Sequence, residues 1–160
     1  MSTSLFDDIV FGPIKSRRLG NSLGINLLPT KSKFCNFDCV YCECGWTGNN
    51  SQSKSMISNV DDIINKLIEK VVVFKEKKVV INSITFAGNG EPTLHPQFSE
   101  VVSDVILVRN LMLPESKVTI LSNGTMLHKK NVAKTLKEVD HCILKLDAGS
   151  EELFRKINQP

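Results

Sequence analysis

Apolar residues recur along this chain in two rhythms, and the change from one to the other marks its elements. Segment 23–28 (LGINLL) is a short apolar run closed by Pro29, the pattern of a buried strand. Residues 30–58 follow no period and are rich in Ser, Asn, Gly and Cys, which predicts a long loop. Loops of that length inside a compact domain are usually functional. Ile63, Ile64, Leu67, Ile68 and Val71 then fall at helical spacing. Asn59 or Asp61 would cap this helix, and Asp61 and Asp62 sit where its macrodipole favours acids. Segment 83–87 (SITFA) reads as a second strand and leads into GNGEPTLHP. Pro96 opens a second helix through about 108, with Phe98, Val101, Val102, Val105 and Ile106 facing inward. Segment 117–121 (KVTIL) is a third strand, Ser122-Asn123-Gly124 turns the chain, and a shorter helix covers 128–138. Segment 141–147 (HCILKLD) is a fourth strand, and 150–157 begins another helix.

Strand and helix thus alternate four times, which predicts the α/β class and a parallel sheet with right-handed crossovers. Ligands of such sheets sit at the carboxyl ends of the strands. The cysteine-bearing loop, the Gly-rich loop, the SNG turn and the Asp147 turn all belong to that end. No repeat beyond the unit itself, no low-complexity tract and no linker interrupts 1–160, so a single domain is expected.

Composition adds limits. With 160 residues, 41% hydrophobic and 23% charged, the chain suits one domain with a real core. A formal net charge of +3 argues for no polyanionic partner and leaves nucleic acid open. Lys15, Arg17, Arg18, Lys31 and Lys33 make the early chain locally basic, either as a solvated rim or as an anion site near the cysteine loop. No apolar run reaches the ~18–20 residues needed to span a bilayer. MSTSLFDDIV lacks the basic start of a signal peptide, so a cytoplasmic location is expected and a membrane partner is not.

Four of the five cysteines fall between positions 35 and 44. In a reducing compartment, clustered thiols point to metal rather than disulfides. Cys142, in mid-strand, reads as a buried small hydrophobe. Cys35, Cys39 and Cys42 are spaced C-x3-C-x2-C. Thiolates are soft ligands that favour iron–sulfur clusters, zinc or Cu(I). A structural zinc site needs four ligands, and Cys44 would supply the fourth. Three thiolates on a [4Fe–4S] cubane would instead leave one iron open to chelate the amino and carboxylate groups of a small molecule. Trp46 reads as packing over this loop, and His95 as a structural turn residue.

C-x3-C-x2-C with Tyr41 before the last cysteine resembles the signature of the radical S-adenosylmethionine superfamily. FGPIKSRRLGNSLGINLLP, KFCNFDCVYCECGW, ITFAGNGEPTLHP, LSNGT and LKLDAG, in that order, resemble its small Fe–S oxidoreductase branch, related to activating enzymes and to wyosine- and molybdenum-cofactor-type enzymes. The likeness spans about 11–160.

The resemblance implies that Cys35, Cys39 and Cys42 hold a [4Fe–4S] cluster whose open iron binds S-adenosylmethionine. A ferredoxin- or flavodoxin-like donor would deliver one electron. Cleavage would give methionine and a 5′-deoxyadenosyl radical that abstracts hydrogen from a substrate the sequence does not name. It further implies that Gly90 and Glu91 receive the methionine amino group, with Asn89 standing where the family motif has glycine. The Tyr41 backbone would contact adenine, and Ser122 and Asn123 the ribose or carboxylate, unless they only cap a turn. Lys145 and Asp147 share a strand face, to serve the cofactor or substrate or to form a mutual ion pair. The family fold is a partial (β/α) barrel, usually of six units. About four are present here, and a truncated chain is the expected explanation, ahead of completion by another chain or a shorter fold. A non-catalytic cluster-binding module and, more weakly, a zinc-binding protein are the alternative functions.

Overall fold

Strands β2 (Gly20–Ile25), β3 (Ser83–Phe86) and β4 (Lys117–Ser122) alternate hydrocarbon and small polar side chains. Alternate residues of a strand face opposite sides of its sheet. The parallel register therefore aligns Leu23, Ile84 and Val118 in one row and Ile25, Phe86 and Ile120 in another, all fully buried. The opposite face carries a ladder of hydroxyls. Ser22 meets Thr85 at 2.7 Å, Thr85 meets Ser83 at 3.0 Å, and Ser83 meets Thr119 at 2.9 Å. Each buried hydroxyl thus has a partner, which removes the cost of its lost hydration.

The computed structural model describes residues 4–48 and 56–160. Its sheet has five strands in the order β1-β2-β3-β4-β5. β2 through β5 (His141–Leu144) are parallel, and β1 (Val10–Ser16) pairs antiparallel with β2. The chain is α/β, as its alternation predicts, and the parallel strands form part of a (β/α) barrel. Two differences stand out. β1 carries no readable strand pattern, because Gly12 and Pro13 interrupt it and its burial is partial. Proline is confined to sheet edges or bulges, and the register shifts between Phe11 and Ile14. The first expected strand, 23–28, also lies earlier. Asn26 ends it by bonding Leu28 in both directions, Nδ2 to the carbonyl and Oδ1 from the amide.

Helices α1 (Val60–Glu76) and α2 (Phe98–Met112) cover the hydrocarbon face. Asn59, not Asp61, caps α1, its side chain accepting from the Asp62 amide at 2.8 Å. Ile63, Leu67 and Val71 are fully buried, whereas Ile68 is exposed. α2 begins at Phe98 after a 3-10 turn, Pro92–Leu94, rather than at Pro96. α3 (Lys130–Thr135) is shorter than expected, and α4 (Glu151–Asn158) follows β5.

β5 stops at Leu144 instead of 147, and all four of its residues are exposed. Cys142 is accordingly exposed rather than buried. The expected loop 30–58 has neither helix nor regular strand over its described part, and 49–55 lie outside the described residues, as do the first three residues of the N-terminal segment. No helix among the described residues is long and apolar enough to cross a membrane.

Candidate functional site

The cysteine loop is sewn to the Gly-rich loop as a one-residue parallel strand. Phe34 bridges Gly90, the Phe34 amide donating to Asn89 O at 2.8 Å and the Glu91 amide to Phe34 O at 3.2 Å. Gly90 permits this approach. It sits at φ +147°, and a Cβ there would lie 1.9 Å from Phe34 O. Asn89, which departs from the family glycine, is fully buried. Its side chain accepts from the Phe6 amide and donates to Phe6 O and Pro29 O. The substitution therefore ties three chain segments beneath the site.

Between these loops and the ends of β4 and β5 lies a cavity of about 360 Å³. Cys35, Cys39 and Cys42 line it, together with Tyr41, Gly90, Glu91, Ser122, Asn123 and Lys145. Nine of the ten positions named from sequence thus come to one place; Asp147 stands behind them. The four loop cysteines are half-buried free thiols. Two of the sulfurs receive N–H donors. Cys35 Sγ accepts from the Phe37 amide at 3.4 Å, with the Asn123 amide group 3.9 Å away. Cys39 Sγ accepts from Lys145 Nζ at 3.4 Å and from Asn158 Nδ2 at 3.3 Å. Burial pushes the Cys35 thiol up, against the pull of the Phe37 amide and Lys33.

Among the described residues, no three His, Cys, Asp or Glu side chains converge closely enough to hold a single metal ion. A structural zinc site would need four such ligands drawn together. A cluster asks less convergence, since each cysteine ligates its own iron, and its sulfurs commonly receive hydrogen bonds. Three thiols on the wall of one cavity, two of them already facing N–H donors, fit that group. Cys44, pushed up to about 11 by burial and then by Cys42, donates to Gly88 O at 3.7 Å as a packed thiol.

Glu91 is buried and braces the site. Its Oε1 accepts from the Thr93 amide at 3.2 Å, from the Thr93 hydroxyl and from Ser122 Oγ at 2.7 Å. Its Oε2 accepts from the Asn123 amide at 2.7 Å, which leaves acceptor capacity on a carboxylate lining the cavity. The Asn123 side chain donates to Asn36 Oδ1 at 2.8 Å and accepts from Thr125. Ser122 and Asn123 therefore serve both as turn residues and as cavity wall.

Lys145 and Asp147 do pair, at 3.4 Å. Lys145 also lies over the Tyr41 ring, 4.6 Å from its centroid, and Asp147 accepts from the Tyr41 hydroxyl. Burial works to lower the Lys145 ammonium, but Tyr41 and Cys39 outweigh it and hold it above its ordinary value. The Tyr41 phenol is pushed up to about 12, first by burial and then by Asp147.

Sequence reasoning missed one residue, left one open and misplaced one. Lys33, read either as part of a solvated rim or as an anion site near the cysteine loop, is buried beside the cavity, its Nζ donating to Asp38 Oδ1 and Gly45 O at 2.9 Å each. Asn158 is buried beside Cys39, and nothing local in the sequence marks it. Trp46, expected to cover the loop, is 68% exposed. His95 is buried and structural as expected, bonding Ser58 O through Nε2 and accepting from the Gln97 amide at Nδ1.

The family model described as the radical SAM superfamily matches residues 30–160. The chain is 38% identical over 151 residues to a protein named GTPase Obg from Brachyspira hyodysenteriae, covering 94% of this chain and 21% of that one. It is 35% identical over 152 residues to a UPF0026 protein of Methanocaldococcus jannaschii, covering 95% of this chain and 44% of that one. It therefore spans less than half the length of these curated relatives. Among solved structures it resembles TYW1 with a lysine–pyruvate adduct bound, at TM-score 0.55 and 14% identity over 86% of this chain and 46% of that one. It also resembles BtrN in complex with AdoMet and 2-DOIA, at TM-score 0.51 and 21% identity over 97% of this chain and 51% of that one. With the family match covering most of its length, the chain belongs to the radical SAM superfamily, whose membership implies a [4Fe–4S] cluster and S-adenosylmethionine.

Proposed function

We propose that this chain holds a [4Fe–4S] cluster through Cys35, Cys39 and Cys42 and uses it with S-adenosylmethionine as a radical enzyme. The observation that carries this reading is the meeting of those thiols with Glu91, Ser122, Asn123 and Lys145 around one cavity. When bound, the two cofactors supply a one-electron reductive cleavage that gives methionine and a 5′-deoxyadenosyl radical, which abstracts hydrogen from a substrate.

The protein's own part is to bind, orient and exclude water. Glu91 would accept from the cationic amino group of the methionine moiety, a role for which its buried brace of donors pre-organises the carboxylate. Gly90 brings backbone close to the same group. Ser122 and Asn123 offer hydroxyl and amide to the carboxylate or ribose. Lys145 places a positive charge beside Cys39 Sγ. Asp147 holds the Tyr41 ring, beside whose backbone the adenine would lie. The reading assigns delivery of the electron to a ferredoxin- or flavodoxin-like donor, and a thiol-held cluster suits a reducing compartment such as the cytoplasm.

Anaerobic reconstitution with iron and sulfide tests the reading. It expects three- to four-fold molar iron and sulfide, on the order of one cluster per chain. It also expects release of 5′-deoxyadenosine when reductant and S-adenosylmethionine are added. Loss of iron in Cys35→Ala, Cys39→Ala and Cys42→Ala, with retention in Cys44→Ala, separates the three-thiolate site from a four-thiolate one. A colourless protein that retains zinc overturns it.

A further inference from the structure

Helix α4 ends against the cysteine loop, and the carbonyls it cannot satisfy internally are used there. Helix C-termini leave their last four carbonyls without intrahelical partners. Here the Val40 amide donates to Ile157 O at 2.9 Å and the Asp38 amide to Asn158 O at 3.0 Å. These two amides flank Cys39, so the end of α4 grips both sides of one cysteine. Phe154 of the same helix packs edge-on against Phe37, with ring centroids 5.3 Å apart.

Asn158 completes the grip. The residue is 1% exposed, and its Nδ2 lies 3.3 Å from Cys39 Sγ and hydrogen-bonds Asp147 Oδ2. Asp147 fixes the amide's orientation, because a carboxylate accepts only from the NH2 end. The NH2 group is therefore the one turned to sulfur. Its oxygen is left buried without a partner among the described residues, a loss of hydration that a side chain present only for packing would not incur.

We propose that Asn158 is a positioning residue for the cluster: its amide donates to the Cys39 thiolate and sets how readily a cluster held there accepts an electron. Reduction adds negative charge that is shared with the ligating sulfurs. An N–H donor stabilises the more negative state, and hydrogen bonds to sulfur are among the factors that set cluster potentials. Asn158 and Lys145 both serve Cys39, whereas among the described residues the donors to Cys35 are the Phe37 amide and the more distant Asn123. Cys39 is thus the ligand most strongly supported by donors from outside its own loop.

This inference rests on the cluster reading, and the experiment keeps the two apart. Wild-type protein and Asn158→Leu are reconstituted anaerobically, assayed for iron and sulfide, and titrated electrochemically while the reduced cluster is followed by EPR. Phe154→Leu, which loosens α4 but leaves the amide in place, is the comparison. The expected result is the same cluster content in all three and a shift to more negative midpoint potential in Asn158→Leu alone. An unchanged potential in a loaded Asn158→Leu overturns the proposal. An equal shift in Phe154→Leu also overturns it, because packing rather than the amide would then govern. If Asn158→Leu does not fold, Asn158→Ala removes the donor without forcing bulk against Asp147, and the same two outcomes apply. Wild-type protein that takes up no iron and sulfide instead overturns the cluster reading itself.

Discussion

The backbone N–H of Asn123 donates to Glu91 Oε2 at 2.7 Å, so the end of β4 is tied to the loop after β3 by a buried carboxylate. Ser122 Oγ and both donors of Thr93 reach the other oxygen. Glu91→Leu strands these donors, and leaving a buried donor unsatisfied costs about 1–3 kcal/mol. We expect a lower urea midpoint for the metal-free protein, with Glu91→Gln losing less because it keeps an acceptor. Urea unfolding followed by circular dichroism measures both.

Gly90 tolerates no side chain. A Cβ would press on Phe34 O, which belongs to backbone and not to a flexible side-chain end. Overpacking of this kind typically costs about 1–3 kcal/mol, and strain at φ +147° adds to it. Gly90→Ala should melt earlier and load less iron, since Phe34 immediately precedes Cys35. Gly149→Ala, which meets open space and carries no positive φ, should leave both unchanged. Thermal melts and iron assays on the two variants decide the matter.

The Lys33–Asp38 pair is asymmetric in exposure, 1% against 29% of the side chain. Breaking a fully buried pair costs ~3–5 kcal/mol. Lys33→Met should cost less than that, because the stranded Asp38 can turn to water. Thr47, whose amide donates to the same Asp38 oxygen at 2.7 Å, would lose its anchor as well. A double-mutant cycle with Asp38→Asn should return a favourable coupling; strict additivity of the two single losses would refute it.

Asp140 gives the fold an acid-sensitive clasp away from the cavity. Burial would raise its carboxyl, but the Val118 amide, Arg109 and Lys117 outweigh burial and hold it below 3.8. A depressed folded pKa means that the ionised form binds the native state better. Its stability is present above the unfolded value of 3.8 and is lost as pH falls through the lower folded value. Asp140→Asn should therefore lower the urea midpoint at neutral pH and flatten its fall on acidification. Equal slopes for both proteins would show that Asp140 contributes no linkage.

Much of this was legible in one dimension. The apolar periods of α1 and α2, the strands around Ile84, Ile120 and Ile143, and the polar loops after them all follow from local spacing. Local spacing also implies that loops after parallel strands share one end of the sheet. Cys35, Cys39 and Cys42 stood out for the same reason: a cysteine triplet in a short loop is a short-range pattern. Gly90 and Glu91 came from the resemblance of GNGEPTLHP to the family motif, since the local pattern by itself reads equally as an ordinary strand-to-helix turn.

Tertiary structure alone decided what lies between distant segments. β1 has no pattern of its own and exists because β2 offers it an edge. Asn89 looked like a departure from a motif, and only its bonds to Phe6 and Pro29 reveal a staple. Cys142 looked buried until the sheet placed it on an exposed edge strand. Lys33 read as rim charge or as an anion site, and only the loop folded over it decides for burial. Asn158 reaches Cys39 across 119 residues of chain, a separation at which neither residue's neighbours carry a trace of the other. Sequence periodicity reports which face of an element is apolar. Which polar side chain meets which sulfur depends on how those elements pack, and that is written in no single stretch of the chain.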